Sequence, residues 1–376
     1  MYIEKVFLKH FRNYQEVEVN LHPEINVFFG SNGQGKTNFL EAIYFLAASR
    51  SFRTTNDQEL INWASSYFFL TGIFVKENSS VFIEMGYQYP RRIKIKLDGL
   101  EIKRPAFIHQ LPVVVFSPED ILLIKEGPSG RRRFLNLEGS RLKPLYYDAF
   151  KDYCRALQQR NRLLKEKGHG KINLSLLEPW DHILVKLGSS IIRLRLAMLS
   201  ALEQHLQHFF AALTNSSESL SLQYASEIDY QGDQERVEKD FALKLQAKLP
   251  VDLKRGYTSV GPHLDDFNVI IDGYDARRFS SQGQQRTAVL AIKMAEVTLF
   301  QRISGEKPVI LLDDVFSEFD RQRQRHLFEF LYQRGGQSFI STAVPLDHFC
   351  ESLAVEYKNF SVHKGNISSE QLGSDH

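Results

Sequence analysis

A glycine-rich stretch near the amino terminus limits the possible folds of this chain more than any other feature of its sequence. Residues 30–38 read GSNGQGKTN and directly follow the apolar run 25–29, which predicts a buried strand. After the stretch, apolar residues recur at helical spacing between positions 39 and 47. Strand, glycine loop and helix, in this order, form the context in which Gly-x4-Gly-Lys-Thr binds nucleotide phosphates. The sequence therefore predicts an α/β fold with a nucleotide site at this loop.

The glycines, the lysine and the threonine of this stretch have predicted roles in holding nucleotide phosphates and Mg²⁺. The glycines let successive backbone N–H groups point at phosphate oxygens, Lys36 reaches the β- and γ-phosphates, and the Thr37 hydroxyl ligates Mg²⁺. The alternative is a glycine-rich turn with a chance lysine. The predicted nucleotide-binding residues of the loop are Gly30, Ser31, Asn32, Gly33, Gln34, Gly35, Lys36 and Thr37.

A second apolar run ends in two carboxylates. Residues 309–314 read VILLDD, which is typical of a central strand that delivers acids to its carboxyl edge. Together with Lys36, Asp313 and Asp314 are the predicted catalytic residues: Asp313 holds Mg²⁺, and Asp314 orients or deprotonates the attacking water. Two solvated acids at a strand end are the simpler interpretation.

A third element, SSQGQQR at 280–286, precedes a helical pattern. Ser281 and Gly283 at a helix start would form a second phosphate-binding end, because free N–H groups and the helix dipole attract anions. One molecule does not need two such ends for one nucleotide, whereas two molecules do if each offers its second end to the other. Taken alone, the element is an ordinary capped helix.

The rest of the chain indicates two lobes. Residues 67–104 alternate like antiparallel strands, with Asp98–Gly99 as a hairpin turn, and 145–250 is mainly helical, with a long amphipathic helix over 184–209. Since Lys36 and Asp313 must meet at one Mg²⁺, the ATPase lobe is expected to be discontinuous. The expected boundaries are 1–140 and 251–365 for this lobe, 141–250 for a helical insertion, and 366–376 for a disordered tail.

Composition restricts partners and setting. The 376 residues carry a net charge of only +2, so a nucleic-acid surface must be a local patch. Two cysteines cannot make a disulfide framework, and neither a signal peptide nor a membrane span is predicted, so a cytoplasmic setting is expected. The candidate DNA contacts lie in two basic clusters, for which a solvated face is the alternative: Arg131, Arg132 and Arg133, and Arg92, Lys94 and Lys96.

Taken together, these motifs resemble those of the ABC-type ATPase heads that include SMC and Rad50 proteins. Within that class the chain is similar to the RecF family along nearly its whole length. The residues that carry the resemblance are KHFRNY at 9–14, GSNGQGKTN at 30–38, FSPED at 116–120, GPSGRR at 127–132, GPHLDDF at 261–267, SQGQQR at 281–286, LDDVFS at 312–317 and SEFD at 317–320.

The resemblance implies an ABC-type ATPase head of mixed sheet, with an antiparallel β element and a mainly helical inserted lobe. It implies a protein that binds double-stranded and gapped or single-stranded DNA, forms an ATP-dependent homodimer and hydrolyses ATP slowly. It also implies RecR and RecO as partners in loading recombinase at gaps. In such a dimer Ser281 would contact the γ-phosphate held by the opposite subunit, with Gln284 beside it.

One departure bears on the rate of hydrolysis. The switch histidine of transporter ABC heads has no counterpart, and Ser341–Thr342 ends the corresponding strand. A hydroxyl can hydrogen-bond a phosphate but cannot take a proton as imidazole does, so slow turnover is expected.

Three other functions share parts of this pattern. A DNA tether of the SMC or Rad50 type needs sustained heptads, which the chain lacks. A nuclease with an added toprim domain needs more than the roughly sixty residues that follow Ser317. A small-molecule kinase has no use for Ser281 and Gln284, and its phosphorylation of an acceptor would distinguish it.

Overall fold

A computed structural model describes residues 1–76, 79–107, 111–166, 174–214, 218–346 and 356–370. The chain forms two compact units: one contains Met1–Asp120 and Glu296–His376, and the other contains Ile121–Ala295. The second unit is larger than the expected 141–250 insertion, because the helix Pro128–Leu142 packs with helices of the insertion and the strand Asp266–Ile271 pairs with Leu220–Ala225 inside it.

The first unit contains a six-stranded mixed sheet. In spatial order its strands are β15 (Asn366–Glu370), β14 (Tyr357–His363), β3 (Ile25–Phe29), β13 (Ser338–Thr342), β12 (Val309–Asp313) and β8 (Val113–Phe116). All pairs are parallel except β14 with β15. The carboxyl ends of β3, β13 and β12 therefore lie side by side at one edge, which is where open α/β sheets bind ligands.

A second sheet of the same unit is antiparallel. Its strands, in spatial order, are β2 (Tyr14–Asn20), β1 (Tyr2–Phe11), β4 (Tyr67–Lys76), β5 (Ser79–Gln88), β6 (Lys94–Leu97) and β7 (Leu100–Ile102). The predicted hairpin at Asp98–Gly99 is confirmed: β6 pairs with β7, and both turn residues have positive φ, 50° and 80°.

Helix α1 (Lys36–Ala48) packs between these sheets, touching β12 and β13 of one and β1 and β4 of the other. Its apolar side chains are buried on every face, as expected for a helix enclosed by protein. Phe28 anchors the layer, with its ring 4.6 Å from those of Phe39 and Phe360. This packing fixes the start of α1 against the carboxyl edge of the mixed sheet.

The first unit also contains the 14-residue helix α10 (Arg321–Arg334), the short helix α2 (Arg104–Phe107) and the last part of the helix Gln282–Ser304. Its 3₁₀ turns are Asp57–Leu60, Pro118–Ile121 (which ends in the second unit) and Val315–Glu318. The expectation of a disordered tail from 366 is wrong for 366–370, because Asn366–Glu370 is the strand β15 paired with β14. Residues 371–376 lie outside the described part of the chain.

The second unit combines helices with a small antiparallel sheet. Its helices are α3 (Leu122–Lys125), α4 (Pro128–Leu142), α5 (Pro144–Lys165), α6 (Glu178–Thr214), α7 (Gln234–Arg255), α8 (Ala276–Phe279) and the first part of α9 (Gln282–Ser304), with a 3₁₀ turn at Leu174–Leu176. The sheet contains β9 (Leu220–Ala225), β10 (Asp266–Ile271) and β11 (Tyr274–Asp275). The predicted long amphipathic helix is confirmed as α6.

A buried arginine ties three helices of this unit together. Arg160 of α5 is fully buried and donates to Asp181 of α6 at 2.6 Å and to Asp252 of α7 at 2.7 Å. Burial raises the pKa of Asp181, and the bond from Arg160 opposes that rise. Removing one partner would leave an uncompensated buried charge, which typically costs about 3–5 kcal/mol.

Within the described ranges, no helix has both the length and the apolar character that crossing a bilayer requires.

Candidate nucleotide site

The glycine loop at residues 30–35 lies between β3 and α1, as predicted. Gly30 and Gly35 have φ of 146° and 122°, values that side chains rarely allow. A Cβ on Gly30 would lie 2.5 Å from the Val362 carbonyl oxygen, and one on Gly35 would lie 2.6 Å from Asn13 Nδ2. Ser31, Asn32 and Gly33 are exposed, so the outer face of the loop is open to a ligand.

Neighbouring residues hold the inner face of the loop through its carbonyl groups. Asn13 Nδ2 and the Gly365 amide donate to the Gln34 carbonyl oxygen at 2.9 and 3.0 Å, and the Tyr14 hydroxyl donates to that of Gly35 at 2.9 Å. Carbonyl oxygens repel phosphate, so turning them inward favours anion binding by the loop amides. Local sequence does not indicate these contacts, because the three residues lie far from the loop along the chain.

The predicted phosphate-binding lysine lies inside the loop. Lys36 Nζ donates to the carbonyl oxygens of Gly30 and Ser31 at 2.5 and 3.0 Å. Burial lowers the pKa of this ammonium, and the carboxylates of Asp314 and Asp313 act against that shift. The ammonium is therefore positioned where a β- or γ-phosphate above the loop would meet it.

Thr37 and Asp313 meet across the sheet edge as the sequence requires. The Thr37 hydroxyl donates to Asp313 Oδ1 at 2.7 Å, although 276 residues separate them. Asp313 is only 7% exposed; burial raises the pKa of its carboxyl group, and the hydrogen bonds from Thr37 and Ser341 lower it. A hydroxyl and a carboxylate oxygen this close fit Mg²⁺, which prefers hard oxygen ligands and completes its shell with phosphate and water.

Ser341 links the two acids of the site. Its hydroxyl donates to Asp313 Oδ1 at 2.9 Å and accepts from the Asp314 amide at 2.9 Å. Asp314 has φ 51°, in the left-handed region, where aspartate is tolerated better than most residues. Ser341 therefore orders both acids but, unlike a histidine, cannot itself accept a proton at neutral pH.

Arg12, in the KHFRNY segment, pairs inside the protein. Its Nε and Nη2 donate to the two oxygens of Glu41 at 2.8 Å each, and Glu41 is fully buried in α1. Arg53 and Ser51 also donate to this carboxylate, at 3.3 and 2.5 Å. The group braces the helix that begins at Lys36, a role that the sequence alone did not indicate.

The third predicted element, in the second unit, forms a reciprocal helix cap. Ser281 Oγ accepts from the Gln284 amide at 3.2 Å, and Gln284 Oε1 accepts from the Ser281 amide at 2.9 Å. This is a capping box at the start of α9. Ser281 and Gly283 are exposed, so this helix end is open to solvent within its own unit.

One of the candidate DNA-binding cations is not on the surface. Arg131 is buried and makes a bidentate pair with Asp266, at 2.8 and 2.7 Å. This pair joins α4 to β10. The prediction of Arg131 as an exposed DNA-binding cation is therefore wrong. Arg133 is exposed, and Arg132 is half-buried and donates to the Leu264 carbonyl oxygen at 3.3 Å. The cations of the other cluster are all exposed at the β5–β6 turn and on β6: Arg92, Lys94 and Lys96.

Gly30 and Gly33, two of the three glycines in the loop, allow a matched test of loop geometry. Gly33→Ala meets no atom within 4 Å and pays only for its φ of 78°, about 1–2 kcal/mol. Gly30→Ala also meets the Val362 carbonyl oxygen and is expected to cost about 2–4 kcal/mol. Urea unfolding without nucleotide measures both. Equal losses would show that β14 yields to the added methyl group.

Comparison with known proteins agrees with this geometry. Residues 2–365 match the family described as the RecF/RecN/SMC N-terminal domain. The DNA replication and repair protein RecF of Thermoanaerobacter sp. (strain X514) is 39% identical, over 92% of this chain and 95% of its own. That of Natranaerobius thermophilus is 37% identical over 100% of both chains.

Solved structures give the same result. One of the recombination mediator protein RecF-ATP in the RecFOR pathway superimposes with a TM-score of 0.90 at 34% identity, over 98% of each chain. An Smc head bound to the C-winged helix domain of ScpA gives a TM-score of 0.57 at 17% identity, over 99% of this chain and 98% of its own, and shows the fold alone. The predicted fold, an ABC-type ATPase head, is confirmed. The chain belongs to the RecF family of DNA replication and repair proteins.

Proposed function

We propose that this protein is a slow ATPase whose ATP-bound form dimerises and clamps DNA during replication and recombinational repair. The observation that carries the proposal is the Thr37–Asp313 contact of 2.7 Å beside the Gly30–Gly35 loop. It brings a predicted Mg²⁺ ligand from each end of the chain to one point next to the phosphate-binding amides. ATP-bound solved structures of RecF, which are similar over nearly the whole chain, support ATP as the nucleotide.

In this proposal Thr37 and Asp313 would hold Mg²⁺, which would supply positive charge to neutralise that developing on the phosphates. Lys36 leaves the carbonyl oxygens of Gly30 and Ser31 for the β- and γ-phosphates. Asp314 orients or deprotonates the attacking water. Ser341 cannot replace a histidine in proton transfer, so hydrolysis is slow and the ATP-bound state is long-lived.

Ser281, Gly283 and Gln284 act in trans in this proposal. They lie at an exposed helix start, where the positive end of the helix dipole attracts anions. If each subunit presents this end to the γ-phosphate held by its partner, ATP binds the closed dimer more tightly than the open one. Hydrolysis then removes the γ-phosphate and releases the dimer, because a ligand shifts an equilibrium only by its differential affinity.

The proposed DNA partners are double-stranded and gapped DNA, contacted through backbone phosphates. Arg92, Lys94 and Lys96 are exposed and close in sequence, which suits contacts without base readout. Arg132 and Arg133 are weaker candidates, and Arg131 is withdrawn because it pairs with Asp266. By family resemblance, the protein acts in the cytoplasm with RecR and RecO to load recombinase at gaps.

A binding titration tests the clamp. Affinity for gapped DNA is expected to be about 5- to 150-fold higher with a non-hydrolysable ATP analogue than with ADP. Lys36→Met should remove that difference and leave the ADP-state affinity unchanged. Fluorescence anisotropy at several salt concentrations measures both, and log affinity should fall linearly with log salt. A DNA affinity that ignores the nucleotide would contradict the clamp.

A further inference from the structure

Trp63 is the most exposed large apolar side chain among those described, at 103% of its reference area. The turn that carries it is nevertheless well ordered by hydrogen bonds from Asn62. The Asn62 amide donates to the His10 carbonyl oxygen at 2.8 Å, and its Nδ2 donates to that of Arg12 at 2.7 Å. Tryptophan is highly buried on average, so a braced turn that presents an indole to solvent indicates a binding contact.

Strand register places further aromatic residues beside the loop of Trp63, at the edge of the antiparallel sheet where β4 begins and β5 ends. The loop carrying Trp63 leads into β4 at Tyr67, which pairs with Gln88 at the end of β5. Tyr67 is 36% exposed and its ring lies 5.0 Å from that of His10, and Tyr89, just after β5, is 57% exposed. This edge therefore presents three aromatic side chains with large exposed areas: Trp63, Tyr67 and Tyr89.

The same edge is basic. Arg91 and Arg92 follow Tyr89, and Lys94 pairs with Gly86 next to the end of β5; all three cations are exposed. The segments 61–75 and 85–97 contain no aspartate or glutamate. Of the carboxylates in the adjoining 3₁₀ turn, Asp57 pairs with Arg104 at 3.2 Å and Glu59 is exposed. Exposed aromatic faces beside unopposed cations match the chemistry of unpaired bases on a phosphate backbone.

We propose that Trp63, Tyr67 and Tyr89, with Arg91 and Arg92, form a stacking site for single-stranded DNA. This inference rests on the proposed DNA-binding function and adds a strand type and a location to it. Duplex DNA hides its base faces inside the stack, whereas the unpaired strand of a gap exposes them. The site would hold that strand by stacking, without reading its sequence.

Intrinsic fluorescence gives a direct test. The chain has two tryptophans, so Trp180→Phe leaves Trp63 as the only indole. A thymidine oligonucleotide without nucleotide cofactor is expected to quench its emission. Trp63→Ala should weaken binding of the labelled oligonucleotide about 5- to 150-fold, whereas Trp63→Phe, which keeps a ring, should retain most of the affinity. Replacing both Arg91 and Arg92 with glutamine should reduce the magnitude of the slope of log oligonucleotide affinity against log salt concentration by about 1.4.

Matched controls show whether a loss of affinity is specific to this edge and to single strands. Phe82→Ala removes another exposed aromatic of β5, away from this edge, and should leave oligonucleotide affinity unchanged. Blunt duplex should bind the Trp63→Ala variant as it binds the unmodified protein; an equal loss for duplex would overturn the single-strand assignment.

Two further outcomes are decisive. If ATP alone quenches Trp63 and displaces the oligonucleotide, the indole stacks on adenine and the proposal is wrong. If duplex DNA binds but thymidine oligonucleotides leave the Trp63 emission unchanged, the stacking site is wrong and the proposed DNA-binding function still stands. Failure of both DNA types to bind would instead refute the proposed DNA-binding function.

Discussion

Ser281→Arg is expected to abolish ATP-dependent self-association and to leave ATP binding by the single subunit largely intact. The serine is exposed at the start of α9, and its hydroxyl accepts from the Gln284 amide at 3.2 Å. An arginine there removes the small cap and fills the space that a partner's γ-phosphate needs. The substitution also removes the proposed hydrogen bond from the Ser281 hydroxyl to the charged γ-phosphate, so the affinity of the dimer should fall about 100-fold or more.

Light scattering after size-exclusion chromatography with a non-hydrolysable ATP analogue measures this effect. ATP affinity of the monomer should stay within about a factor of three, because in this proposal Ser281 contacts only the nucleotide held by the partner subunit. Ser281→Thr, which keeps the hydroxyl, is the matched control and should still dimerise. Loss of ATP binding together with association would disprove the in-trans role of Ser281.

The parts of the site that local sequence predicted are those set by a short segment or by strand ends. The order of β3, loop and α1 follows from one continuous segment, with Gly30 and Gly35 at positive φ. Asp313 could be placed next to Thr37 because the carboxyl ends of parallel strands share one edge of a sheet. That rule needs only the identification of β12 as a buried strand, which four consecutive apolar residues provide.

The parts that remained unpredicted depend on partners far away in sequence. Arg131 has the sequence pattern of an exposed cation in a basic run, but it is buried because it pairs with Asp266, 135 residues later. Gly365 supports the glycine loop from near the other end of the chain. Trp63 belongs to no motif. Its exposure, and the aromatic and basic residues beside it, depend on the fold and on the pairing of β4 with β5. Periodicity reports which face is buried, not which distant group a buried polar side chain will meet.

Substituting the two acids of the VILLDD strand should separate hydrolysis from metal binding. Asp314→Asn keeps the size of the side chain and tolerates the left-handed φ of 51°, so the fold should be retained. It removes the carboxylate that would accept a proton from water, and hydrolysis should fall about 10²- to 10⁴-fold. The ATP-bound dimer should then accumulate, because its formation does not need the reaction.

Asp313→Asn is the informative counterpart, since this carboxylate receives the Thr37 and Ser341 hydroxyls and is the proposed Mg²⁺ ligand. Its loss should weaken Mg²⁺-dependent ATP binding itself, so neither hydrolysis nor the dimer should be observed. Single-turnover hydrolysis and light scattering on both variants distinguish the two roles. If Asp314→Asn hydrolyses ATP at the unmodified rate, Asp314 neither orients nor deprotonates the water. The proton of the attacking water would then have to go to a phosphate oxygen, because Asp313 is the proposed Mg²⁺ ligand and Ser341 cannot accept a proton at neutral pH.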